Sequence, residues 1–164
     1  MEELKKVLKK YAEYVIEQAK ENLKKGGRYA THDKSGELSK SLSYIIDINN
    51  KISFQSLKYG EFLDKGVKGA KSTYPESRES PFKYTDKMPP SSVFDKWSIR
   101  SGIAPRDEKG RFIKRKSLSF AIAKSIYKKG IRASMFFTKP FEDALPLFED
   151  DMLDALLNDN LKLD

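Results

Sequence analysis

Residues 2–27 read EELKKVLKKYAEYVIEQAKENLKKGG, and their spacing decides how the rest of the chain has to be arranged. Leu4, Val7, Leu8, Tyr11, Val15, Ala19 and Leu23 recur every three or four positions with Lys and Glu between them. That period predicts one amphipathic helix over residues 2–24. Gly26-Gly27 ends it, because glycine takes the left-handed conformation that a helix end needs. At 1.5 Å per residue the helix is ~33 Å long. Its apolar stripe is one face wide, so it must lie on a sheet or on another subunit.

Outward from this helix, Ser35 to Leu42 forms a short polar helix or turn, with Leu38 and Leu42 four apart. Tyr44 to Ile48 is rich enough in β-branched residues to be a strand. Asn49-Asn50 tolerates positive φ, so a tight hairpin is expected, with Ile52 to Leu57 returning. Regularity is lost after Tyr59 to Gly66. Pro75, Pro81, Pro89 and Pro90 make residues 67–91 read as a long loop. A short helix from Val93 to Arg100 follows, with Ser92 as its cap and Val93, Phe94 and Trp97 on one side.

Residues 102–116 read as irregular and basic. Ser117 or Ser119 opens a helix through Lys129, with Leu118, Ile122 and Ile126 on one face and Gly130 as its stop. Ile131 to Thr138 reads as a strand. Thr138 and Pro140 open a last helix, in which Phe141, Leu145, Phe148, Met152 and Leu156 keep helical spacing. Glu142 and Asp143 suit its positive start, and Pro146 is expected to kink or break it. The expected fold class is α+β: a long N-terminal helix packed on a small, mostly antiparallel sheet (β-hairpin plus one further strand), two C-terminal helices and a long inserted arm. One domain over residues 1–164, with the arm at about 67–116, is the expected organisation.

The chain has 164 residues, 32 Lys plus Arg, 24 Asp plus Glu and a formal net charge of +8. Its charged share of 34% exceeds the ~25% of ordinary soluble domains, so surface is left over for partners. No stretch approaches the ~20 apolar residues that span a bilayer, and no membrane role is expected. Met1 to Lys6 is charged and unlike a secretory signal, so a soluble chain made inside the cell is expected. The absence of cysteine excludes disulfides, thiolate nucleophiles and cysteine zinc sites. The single His32 excludes any site that needs two histidines and reads as a surface residue in a polar turn.

The charge is uneven. Residues 142–164 hold eight acids against one base, Lys162, which leaves −7 there and +15 on residues 1–141. A basic body with an acidic end attracts copies of itself head to tail, or holds a polyanion on one face. The plainer reading is a solvated acidic helix. The basic cluster Arg106, Lys109, Arg111, Lys114, Arg115 and Lys116, beside Phe112, has the composition of a nucleic-acid surface that binds without reading sequence. It reads equally as an arm docked on a neighbouring subunit. Glu142, Asp143, Glu149, Asp150, Asp151 and Asp154 form the complementary acidic face. Asp107-Glu108-Lys109 matches the minimal acid–spacer–lysine signal of a metal-dependent nuclease, but chance supplies roughly four such matches in a chain of this composition. No catalytic, metal or cofactor-binding residues are expected, and no cofactor.

Three segments, in order, carry a resemblance: Ser35 to Leu42, Tyr59 to Gly66, and Phe136-Phe137-Thr138-Lys139-Pro140-Phe141-Glu142-Asp143-Ala144-Leu145. Following a long N-terminal helix, they resemble the tail-completion, or head–tail joining, proteins of tailed bacteriophages. The likeness covers about residues 1–66 and 117–158, and residues 67–116 exceed the family's usual connection. The resemblance implies a structural virion protein rather than an enzyme. It implies a multi-copy ring in the neck, made in the host cytoplasm, meeting portal, neck or tail proteins and touching DNA non-specifically. A non-specific DNA-binding accessory protein is the alternative, with a metal-dependent nuclease behind it.

Overall fold

The computed structural model describes residues 2–26, 33–104 and 106–161. The expectations for Gly27, His32 and Lys162 therefore fall outside the described residues. The elements in chain order are α1 (Glu2–Lys25), α2 (Glu37–Ser41), β1 (Ser43–Ile46), β2 (Ile52–Gln55), α3 (Tyr59–Lys65) and β3 (Val67–Lys68). A 3-10 turn (Pro75–Ser77), α4 (Val93–Arg100), α5 (Arg115–Lys129), β4 (Gly130–Ile131) and α6 (Thr138–Leu161) complete them. The fold is α+β, as expected. Its contacts divide into two compact units: residues 1–60 with 135–164, and residues 61–134.

In the first unit, α1 buries Leu8, Tyr11, Ala12, Val15, Ile16, Ala19 and Leu23, the stripe its period predicts apart from the first turn. Gly26 closes the helix at φ 64°, donating its N–H to the Asn22 carbonyl at 3.1 Å. The stripe lies against β1 and, more extensively, along α6. Three contacts set α6 antiparallel to α1. The Asp159 carboxylate accepts from the N–H groups of Glu3 (3.2 Å) and Leu4 (3.0 Å). The Tyr11 hydroxyl donates to the Phe141 carbonyl (3.0 Å), and Asn22 Nδ2 donates to the Phe136 carbonyl (3.3 Å). Tyr11, Val15 and Ala144 form the buried centre, with Tyr14, Ile52, Phe54, Phe137, Phe148 and Met152 packed around it. Tyr11 meets Phe148 edge-on at 5.7 Å and Phe54 meets Phe137 at 5.0 Å, geometries worth about 0.5–1.5 kcal/mol each beyond area burial.

The hairpin pairs Tyr44 with Phe54 and Ile46 with Ile52, and these half-buried residues form its inner face. Its strands are shorter than expected. Asp47 accepts the N–H groups of Asn49 and Lys51 at 2.8 and 2.9 Å, closing a three-residue loop that leaves Ile48 exposed and Asn50 at φ 59°. Upstream, Asp33 caps α2 by accepting from Leu38 (3.3 Å) and Ser39 (2.7 Å), which plants Leu38 in full burial.

The strand expected over 131–138 is corrected to Gly130–Ile131. Ser134 N–H turns to the Leu63 carbonyl, Met135 adopts φ 51°, and Phe136 is buried on α1's side of the chain. The run is apolar because its rings fill a core, not because it alternates in a sheet. Helix α6 starts at Thr138 as expected, which places Glu142 and Asp143 beyond its first turn. It runs unbroken through Pro146, correcting the expected break. Packed residues on both sides, Ala144 and Phe148, hold the helix across the missing hydrogen bond.

In the second unit, β3 pairs antiparallel with β4, and Lys68 also bridges to Lys83. The segment read as a long loop over 67–91 holds only β3 and the 3-10 turn as regular structure, and buried serines fasten it. Ser77 Oγ donates to the Ile131 carbonyl (2.7 Å) and accepts from Ala133 N–H (2.9 Å), while Ser80 Oγ donates to the Gly66 carbonyl (2.7 Å). Gly130 sits at φ 83°, where a Cβ would land on the Val67 carbonyl oxygen, so the pairing requires glycine there. Helix α5 packs on α4 with Ser119 and Ala123 buried on one helix and Ser98 on the other. Ser92 occupies the start of α4 without a side-chain cap, and Val93 and Trp97 stay exposed.

Two outcomes test these fastenings. Hydrogen bonds hold the Asp159 carboxyl down to about 2 from an ordinary 3.8, the Leu4 N–H foremost. A lowered folded-state pKa stabilises above the unfolded value and is lost as pH falls through the folded one. The melting temperature of Asp159→Asn should lie below wild type at pH 7, with the gap closing between about pH 4 and pH 2; a constant gap would contradict the cap. Separately, Ser77→Ala should cost about 1–3 kcal/mol in urea unfolding, because it strips two buried partners. A loosely attached segment would show no change.

Candidate assembly surfaces

The basic cluster divides into two parts. Arg106, Lys109 and Arg111 stand in one tight turn bridged by Arg106 and Phe112. The Asp107 carboxylate organises it, accepting from Lys109 N–H (3.0 Å), Arg111 N–H (2.9 Å) and Arg111 Nε (2.8 Å). The Arg111 backbone bond is the main cause holding this carboxyl below its ordinary value. Arg106 donates to the Gly110 carbonyl (3.0 Å) and lies 4.2 Å over the Phe112 ring. The acid of the nuclease-like triplet is thus the pin of a turn, which gives its spacing a structural reason.

The other three bases stand at the start of α5. Lys114 is the residue before the helix, and Arg115 and Lys116 fill its first turn, which carries no acid. Positive side chains at the positive end of a helix dipole are locally unfavourable and gain from an acidic neighbour. Arg115 Nε has only a long contact to Asp95, 3.9 Å between half-exposed groups, a geometry worth little in water. Beside these cations lies an open groove of about 520 Å³ lined by Ile99, Ile103, Ala104, Phe112, Ile113 and Arg115. The sequence pointed to the cations but not to this apolar floor, which forms only when α4's end meets the turn.

All six residues of the acidic set are exposed on α6. Asp143 pairs with Lys139 Nζ at 3.1 Å; Glu142, Glu149, Asp150, Asp151 and Asp154 stand on the same helix. Asp159, which belongs to the same acidic run, turns inward to cap α1 instead. The inward face of α6 is Pro140, Ala144, Phe148, Met152, Ala155 and Asp159. Leu145, Leu147, Leu153, Leu156, Leu157 and Leu161 therefore remain exposed, from 41% for Leu156 to 73% for Leu161. Leu145 and Leu156 share helical spacing with Phe148 and Met152 but are exposed. The missed signal is the second leucine row, Leu153, Leu157 and Leu161, four residues apart and interleaved with Asp150 and Asp154.

Among the described residues no group of three or more His, Cys, Asp or Glu is placed to hold a metal ion. None of their helices is long and apolar enough to cross a membrane. Comparison with family models, curated proteins and solved structures finds no match to the chain. The pinned turn has a direct check. Asp107→Asn should speed trypsin cleavage after Lys109 and Arg111 several-fold, because the turn loses local order. Equal cleavage rates would show that the carboxylate does not hold the turn.

Proposed function

We propose that this chain is an assembly protein, one that works as part of a multi-copy structure and not as a catalyst. Within that class, the reading we favour is a neck or tail-completion component of a tailed bacteriophage, forming a ring between the portal region and the tail. The order of the three resembling segments supports the family. The observation that carries the class is the outward face of α6, where six exposed leucines alternate with acids on a helix whose inner face is already packed. Clustered exposed apolar side chains on a folded surface mark contact sites. Rings are built from heterologous contacts, in which one patch meets a different patch on the next copy.

The second reading, non-specific DNA binding, is favoured by one observation: Phe112 is 72% exposed amid six bases. Sedimentation across a concentration series separates the two. The assembly reading expects species heavier than a dimer as concentration rises, shifted back toward monomer by Asp150→Lys with Asp154→Lys. Strict monomers at every concentration, with salt-sensitive DNA binding, would overturn it.

A further inference from the structure

Two surfaces of this chain are each apolar, each strongly charged and opposite in sign. Residues 93–116 hold eight bases against three acids around a floor of Ile99, Ile103 and Ile113. Helix α6 holds seven acids against Lys139 alone, with one of the seven, Asp159, engaged internally. Neither surface suits its own copy, since like charges brought face to face oppose docking. Each suits the other. Leu153, Leu157 and Leu161 repeat once per helical turn, so one row of side chains presents to a groove, as amphipathic helices do.

Resting on the multi-copy reading, we infer that the groove bordered by Ile99, Ile103, Phe112 and Arg115 receives the Leu153–Leu157–Leu161 row of a second copy's α6. Asp150 and Asp154 stand on the same side of that helix and meet Lys114, Arg115 and Lys116. The floor favours this occupant over nucleic acid: three isoleucines offer aliphatic surface to leucines, and the one aromatic ring at the edge, Phe112, already has Arg106 over one face. Two of the cations are also already committed, Arg111 to Asp107 and Arg106 to Phe112, which leaves fewer for phosphates. The contact is head-to-tail, and such contacts propagate from copy to copy until they close.

The chain's lack of cysteine makes the test direct. Leu157→Cys and Ile103→Cys replace exposed side chains, so both variants should fold as wild type. One is labelled with nitrogen-15, the two full-length chains are mixed and mildly oxidised, and intact mass reports which copies are joined. The docking predicts mixed dimers well above the statistical half, from chains that self-associate before oxidation. In parallel, Arg115→Glu should weaken self-association about tenfold, and Asp154→Arg supplied on the other copy should recover most of it. Self-association with Leu157–Leu157 dimers prevailing would overturn the docking and leave the multi-copy reading standing. Chains that never self-associate would overturn both. Loss of DNA binding in Arg115→Glu with self-association unchanged would assign the groove to nucleic acid instead.

Discussion

The antiparallel seating of α6 on α1 is the constraint from which the rest follows. It is fixed by polar contacts near both ends of α6: Asp159 on the first N–H groups of α1, Tyr11 on the Phe141 carbonyl and, just ahead of α6, Asn22 on the Phe136 carbonyl. Shifting α6 by one residue would strand each of these groups. With that register set, the residues facing α1 are Ala144, Phe148, Met152, Ala155 and Asp159, among which small side chains alternate with large ones. The leucines are displaced to the outside by the same register. A helix with six outward leucines leaves apolar surface in water, and that surface is what the proposed contact would cover.

The second unit obeys a different economy. It has two residue pairs of sheet, a few turns, most of α3, and the helices α4 and α5, whose buried residues are Ser98 on one and Ser119 and Ala123 on the other. Its order comes from backbone groups satisfied one at a time, by Ser77, Ser80 and the short β3–β4 pairing. Buried hydroxyls of this kind contribute about 1 kcal/mol each net, but leaving a buried partner unsatisfied costs more. That asymmetry helps keep a proline-rich segment in one place, alongside the edge-on packing of Phe82 on Phe62 at 4.5 Å. The same unit carries a groove whose walls are isoleucine and whose rim is cationic.

What the sequence revealed was whatever repeats. Helix α1, its glycine stop, the hairpin, α4 and the opening of α6 at Thr138 were readable because helix and strand periods and end residues are local properties. What escaped was set by contacts distant in sequence. The choice between the Leu145–Leu156 stripe and the Ala144–Ala155 stripe on α6 is made by α1, more than a hundred residues away. Phe136 and Phe137 are apolar for packing reasons, so strand composition misled there. Ser77 looks like any loop serine until Ile131 and Ala133 arrive beside it. On the functional side, both charged clusters were visible from composition, whereas the leucine row and the isoleucine floor became visible only once burial had sorted the apolar residues.

The proposed role requires α6 to be covered by a neighbouring copy. An electron-microscopic image of the assembled particle, at a resolution that traces helices, is its most direct measurement. The proposed role expects several copies of this chain around one axis at the head–tail junction, with the outer face of α6 touching the next copy. A solitary copy, or a ring in which that face of α6 looks into solvent, would contradict it.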